Sequence, residues 1–304
     1  MSATTIAPSS PDSPPTKRTP PANLARRRLV DRAVTGLIYV AIAIASVPLL
    51  LLVYFVAVKG AGQLSWSFLS EPLPVSARRS GGGIAPAIIG TLLTTLLAAV
   101  LAVPLGVLGA IYLNEYGKTS RTAALLRFLA NVLAGVPSIV MGLFVYTIFV
   151  LRFQGGGRIA FAGALALACL MLPIIIRSTE EMLRLVPANL REASMALGAS
   201  QSRTILTVVL PAALPGITSG SLLAVARAAG ETAPVLFTIG FATQTNLNPF
   251  SGPNTTLAQF IFGNAGQPFP AAVDRAWGAA FTLIVLVLGL TVGARIISAR
   301  YTVR

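Results

Sequence analysis

The chain has no histidine in its 304 residues and a single cysteine, Cys169. A disulfide within it is impossible, and metal sites that need imidazole are excluded. Charge is scarce: Asp, Glu, Lys and Arg make up 11% of the residues, with 9 acidic against 23 basic and a net charge of +14. A basic excess of that size suggests a polyanionic partner. Two tryptophans and no basic face interleaved with aromatics nevertheless leave no site for nucleic acid. What the chain has in quantity is apolar surface. Hydrophobic residues are 55% of it, mean hydropathy is +0.78, and several runs are long enough to cross about 30 Å of hydrocarbon. This is the composition of an all-α protein that crosses a membrane several times, and Cys169, inside one apolar run, reads as inert packing.

Residues 1–25 hold six of the 21 prolines amid Ser and Thr, a composition that cannot bury apolar surface and predicts a disordered tail over 1–30. The apolar run at 34–58 is longer than the roughly 7–15 residues of a signal-peptide core, so it is expected to stay as a first span. Five more runs follow at 84–113, 125–151, 159–176, 217–241 and 277–297, making a membrane domain of 31–304 with six transmembrane helices. Six spans put both termini on one side. With that side cytoplasmic, 16 of the 23 basic residues fall inside and six fall outside: Lys59, Arg78, Arg79, Arg152, Arg158 and Arg275. Positive charge belongs preferentially to the cytoplasmic side, so the +14 is mostly topology and contact with anionic lipid. The apolar stretch 205–241 is long enough for two spans, but splitting it would send Arg295, Arg300 and Arg304 outside. One span with a cytoplasmic lead-in fits better, with Pro211, Pro215 and Gly216 marking a bend between them.

The remaining basic residue, Arg227, lies inside the fifth span, four residues before Glu231. Each charge at bilayer depth costs roughly 2.5–3.5 kcal/mol, so a chain keeps it there mainly for a partner or a pathway. Two readings are open. Spacing of i, i+4 puts both on one helical face, where an ion pair would lock this helix to a neighbour. The forked donors of a guanidinium also match a tetrahedral oxyanion, which lysine cannot imitate. Arg177, at the inner end of span four, is a further pathway candidate that snorkelling explains equally well. Thr91, Thr94 and Thr95 are expected to bond back to their own helix, and Gly135, Ser138 and Gly142 to form a small-residue seam.

The loop between spans four and five reads VPANLREASMALGASQSRTILTVVLPAALPGI over 186–217. Pro187 suits a first helical turn, Leu190, Ala193 and Leu197 recur on one face, and Gly198 suits the C-cap, which predicts a short amphipathic helix outside the bilayer. Amphipathicity alone is compatible with a helix that floats among lipid headgroups. The spacing says more. Glu192-Ala193-Ser194, then three residues, Gly198, nine residues and Val208-Val209-Leu210-Pro211 resembles the EAA loop of ABC importer permeases, with Ser194 standing for an alanine and Val208 for an isoleucine. In that family the loop helix, here about 186–211, seats in a groove of a separate ATPase subunit.

Three further blocks narrow the resemblance: GTLLTTLLAAVLAVPLGVLGAIYLNEY from Gly90, LAGVPSIVMGLF from Leu133 and ARAAGETAPVLFT from Ala226. With the EAA loop they resemble the permease subunits of bacterial phosphate ABC importers, the last block being closest to the PstA type. The resemblance covers about 30–300 and implies the type I importer permease fold in a bacterial inner membrane. It also implies a second homologous permease subunit, two ATPase subunits, an external phosphate-binding protein and inorganic phosphate as cargo. Glu192, Ala193, Ser194 and Gly198 would then carry the coupling to ATP hydrolysis, and Arg227, Glu231 and Arg177 the translocation pathway. Gly117-Lys118-Thr119 has the end of a phosphate-binding loop but lacks its first glycine, Tyr112 standing there after a membrane helix, so no ATPase site of its own is expected. No cofactor is expected either. Another oxyanion such as sulfate or molybdate, an ATP-independent carrier, and a membrane scaffold stay open as alternatives. Residues 256–262 are expected to form a short helix in the outer loop, and the Asn254-Thr255-Thr256 sequon to be a chance occurrence.

Overall fold

The computed structural model describes residues 24–117, 120–152 and 157–300. The tail over 1–23, Lys118, Thr119 and Arg304 lie outside the described residues. Two units are distinguished, 1–54 and 55–304. Helix α1 runs over Leu24–Ala61, so the last seven residues of the expected tail are helical instead of disordered, and its apolar side chains up to Tyr54 are almost all exposed.

The second unit is built from α2 (Trp66–Ser70), α3 (Ala85–Ile111), α4 (Arg121–Gly135), α5 (Ser138–Val145), α6 (Ala160–Leu185), α7 (Ala188–Ala196), α8 (Gln201–Thr204), α9 (Leu210–Ala229), α10 (Ala233–Thr238), α11 (Leu257–Ala265) and α12 (Pro270–Arg300). No strand occurs among the described residues. Wider π turns, with the N–H bonding five residues back instead of four, extend α3 over Tyr112–Tyr116, extend α5 over Tyr146–Val150 and join α8 to α9 over Ile205–Val209.

Five helices are long and apolar enough to span a bilayer, and a sixth span exists only as a bent pair. That pair corrects the expected third span. Arg121–Gly135 and Ser138–Val150 meet at 107°, because Pro137 bars the helical conformation at Val136 (ψ 128°) and starts a new helix with Ser138. The expected fifth span is corrected as well. Gln201–Ala229 is one continuous apolar helix, with no break at Pro211, Pro215 or Gly216, and it stops at Gly230, eleven residues before the expected end. Pro211 follows directly on the π turn over Ile205–Val209, and the helix continues through it.

The core lies between α3, α6, α9 and α10, with Ala98, Ala102, Leu167, Met171, Ala224 and Val235 at its centre. Small residues let these helices close up, as they must where lipid gives no hydrophobic driving force. A Cβ on Gly106 would stand 2.7 Å from the Ile175 side chain, and one on Gly220 2.4 Å from the Ser178 hydroxyl. Of the expected small-residue seam, Gly142 packs against the backbone of Pro234 but Gly135 meets nothing, since the bend separates them onto different helices. Thr91 and Thr94 do bond back, to Ala87 O at 2.8 Å and Gly90 O at 2.7 Å. The Thr91 hydroxyl also accepts the N–H of Leu257 at 2.8 Å.

The short helix expected in the outer loop exists as α11, but Leu257, Ala258 and Phe260 are buried, so its first turn belongs to the core. Asn254, Thr255 and Thr256 are buried too, which leaves the sequon without access. Arg275, counted above among the outer charges, is buried and donates to the carbonyls of Arg79 at 2.5 Å, Ala77 at 3.0 Å and Gly81 at 3.3 Å, tying that loop to α12.

Candidate functional site

The sequence GETAP ends one helix and starts another. Gly230 terminates α9, and Pro234 occupies the first turn of α10, so Glu231 stands in the gap between them. The i, i+4 geometry expected for Arg227 and Glu231 inside one helix is therefore not formed. Arg227 Nε lies 3.5 Å from Glu231 Oε1, and the Arg227 side chain is 69% exposed against 19% for Glu231. A pair this long and this open contributes at most about 1 kcal/mol. The two Nη nitrogens of Arg227 meet no hydrogen-bond acceptor among the described residues.

Arg227 borders a cavity of about 540 Å³ that lies where α9 stops, where α4 and α5 bend apart, and along one face of α6. Arg177, Ser178 and Glu181 line it from α6, Arg227 and Glu231 from the α9–α10 gap, and Pro137 from the bend. The three pathway residues singled out from the sequence are thus on one cavity. Arg177 is exposed and uses one nitrogen, Nη2, on Asn131 Oδ1 at 2.6 Å. Among the described residues no group of three or more His, Cys, Asp or Glu is placed to hold a metal ion.

Behind Arg177 lies a second cavity of about 190 Å³, lined by Arg127, Asn131, Glu180, Glu181 and Arg184. Glu180, nearly buried, receives Arg127 Nε at 3.1 Å and Arg184 Nη2 at 2.5 Å, and Arg127 Nη2 reaches Leu113 O at 2.7 Å. The sequence reading took Arg127 and Arg184 only as markers of topology. Arg184 is visible as an i, i+4 partner of Glu180, but nothing local points from either to Arg127.

The loop helix forms as expected. Val186 leaves the helical conformation ahead of Pro187, α7 follows, and Gly198 adopts φ +85°, a left-handed turn that sends the chain back toward α8. Glu192, Ala193 and Gly198 are exposed, as are Leu190 and Leu197, so the apolar face of α7 is turned away from the bundle. Ser194 bonds the hydroxyl of Thr204 at 2.9 Å, a contact the usual alanine cannot make.

Arg191 holds the helix in place. Its guanidinium donates to Val186 O at 2.6 Å, Leu183 O at 2.8 Å and Glu115 Oε1 at 2.9 Å, with both charged side chains largely buried. Glu115 also accepts Asn114 Nδ2 at 2.7 Å, and its carbonyl accepts Gln201 Nε2 at 2.8 Å. The π turn at the end of α3 is thereby tied to both ends of the α7 segment. Arg191 and Glu115 were missed by sequence reasoning because their partnership spans 76 positions.

Residues 102–303 match the family described as binding-protein-dependent transport system inner membrane component. The phosphate transport system permease protein PstA 1 of Mycobacterium tuberculosis (strain H37Rv) is 44% identical over 276 residues, covering 90% of this chain and 88% of its own length. PstA of Yersinia pestis is 42% identical over 252 residues, 83% of this chain and 84% of its own. Among solved structures, the inward-facing MetNI methionine ABC transporter aligns with a TM-score of 0.58 at 20% identity, over 73% of this chain and 95% of that one. A bacterial ABC transporter involved in import of the acidic polysaccharide alginate aligns with a TM-score of 0.58 at 16% identity, over 91% and 100%. At these identities the structural likeness is one of fold.

Proposed function

The chain belongs to the inner membrane components of binding-protein-dependent transport systems, and from that premise we propose that it is the permease subunit of an ATP-driven importer of inorganic phosphate, forming half of the translocation pathway. Its fold is that of a type I ABC importer permease, a transport subunit without an ATPase site of its own. The observation that carries the choice of cargo is the cavity where Arg177 and Arg227 stand with unused guanidinium donors, in a chain whose relatives at 42–44% identity are named for phosphate transport. Planar forks with free N–H groups suit a tetrahedral oxyanion, and in a low-dielectric surrounding each such hydrogen bond is stronger than in water.

In this reading a second, homologous permease subunit closes the other side of the cavity. An external binding protein delivers phosphate, and two ATPase subunits receive α7 in a groove, the exposed Leu190 and Leu197 packing beside Glu192, Ala193 and the tight turn at Gly198. Ser194, on the inner side, fixes α7 to the next helix. Both termini are cytoplasmic, which is supported by the basic residues, 16 inside against six outside.

The test is uptake. Expressed with its partner subunits in cells lacking their own phosphate permease, the chain restores ATP-dependent accumulation of labelled phosphate and leaves sulfate uptake unchanged. Restoration of sulfate or molybdate uptake instead would move it to another oxyanion. Uptake without a copurifying P-loop ATPase would make it an autonomous carrier.

A further inference from the structure

Glu181 has no task in the arrangement described so far. It follows Arg177 by one helical turn on α6, is exposed, and lines both the 540 Å³ cavity and the smaller one behind it. Its neighbour Glu180 is taken up by Arg127 and Arg184, whereas Glu181 itself forms no ion pair or hydrogen bond among the described residues. A free carboxylate in an anion cavity repels the cargo. The charged groups that share its two cavities are Arg177, Glu180 and Arg184 on its own helix, Arg127 on α4, and Arg227 and Glu231 at the end of α9.

A carboxylate can only accept hydrogen bonds, so the one kind of anion it can welcome is an anion that still carries a proton. We infer that Glu181 selects for a proton-bearing oxyanion: the cargo's own O–H donates to the Glu181 carboxylate while Arg177 and Arg227 bind its unprotonated oxygens. The inference rests on the phosphate reading above and gives it a physical basis. Phosphate keeps at least one proton at neutral pH. Sulfate and molybdate carry none, so they bring only like charge to Glu181 and leave its oxygens unpaired, a repulsive element of the kind that specificity requires. The proton stays on phosphate throughout; no bond is made or broken.

The experiment uses the whole transporter, with its binding protein and ATPase subunits, in proteoliposomes. Labelled phosphate uptake is measured across pH for the native protein, Glu181→Gln and Glu181→Asp, each normalised to assembled complex. Every proton that phosphate loses removes a donor and adds a negative charge, and both count against a carboxylate but not against an amide. The ratio of native to Glu181→Gln uptake therefore falls severalfold as pH rises through the step from two protons on phosphate to one, because the remaining O–H keeps its bond to Glu181 while the negative charge facing the carboxylate doubles. Glu181→Asp keeps the native profile. Because all three share one binding protein, its own pH dependence cancels in the ratio. A ratio constant across pH overturns the assignment of Glu181 and leaves the function standing. Failure of Glu181→Gln to assemble overturns it too, by making the carboxylate structural. If the native complex does not accumulate phosphate at all, the function falls, and this inference with it.

Discussion

The hold of Arg191 on Glu115 makes a quantitative prediction about how movement of α7 reaches the membrane helices. Replacing Arg191 with Met removes three hydrogen bonds at once, to Glu115, Leu183 O and Val186 O. It also leaves the Glu115 carboxylate, 5% exposed, with Asn114 as its one remaining side-chain partner. Breaking a buried pair from one side typically costs about 3–5 kcal/mol, and the 17% exposure of the Arg191 side chain argues for the lower end here. Glu115→Gln is the gentler break: the amide oxygen still accepts from Arg191, and both carbonyl bonds survive, so a loss of about 1–2 kcal/mol is expected. The double change removes the stranded carboxylate and should recover roughly 0.5–3 kcal/mol relative to the sum of the single losses. Thermal unfolding of the purified complex measures the stability term. Phosphate transported per ATP hydrolysed, in proteoliposomes, measures coupling, and Arg191→Met should lower it more than it lowers ATPase activity. Native coupling and unchanged thermal stability in Arg191→Met would refute the view that this pair transmits force.

Arg227→Lys keeps the charge but loses the fork, so uptake per assembled complex should fall at least about tenfold, whereas assembly, resting on a pair worth no more than about 1 kcal/mol, should hold; full uptake by the Arg227→Ala/Glu231→Ala double variant would remove Arg227 from the pathway. Gly198→Leu meets no neighbour but forces a left-handed turn on a branched residue at about 1–2 kcal/mol, so insertion should be normal and transport per ATP reduced, with Gly198→Asn intermediate; equal coupling in all three would exclude the turn from force transfer. Cysteines introduced at the exposed positions Leu247 and Leu197 should be labelled by an impermeant reagent in intact cells at 247 and not at 197, and the reverse pattern would invert the topology.

How legible the chain was depended on whether a signal was local. Hydropathy located the membrane helices because lipid asks for a continuous apolar run, but it averages over a Pro-induced bend, which is why 125–151 passed as one span. The GETAP block contained its own punctuation, Gly230 and Pro234, and still read as helix because the residues around it are apolar. Arg227, Arg177 and the loop from Glu192 to Gly198 could be singled out because a charge in an apolar run or a fixed spacing is visible along the sequence. Glu115 with Arg191, Arg127 with Glu180, and the solitary position of Glu181 are facts about helices that meet across 76, 53 and similar separations. No periodicity encodes them.

The π turn over Ile205–Val209 sets the chemistry of a cavity it does not touch. A helix advances about 100° per residue, so the one residue that this wide turn absorbs rotates everything downstream by that angle relative to an unbroken α-helix. With that residue in place, Arg227 lines the cavity. Excising an exposed member such as Leu206 would leave every cavity residue present in the sequence and swing Arg227 off the cavity wall. In this chain the aim of a guanidinium is a matter of arithmetic, settled near the base of the helix that carries it.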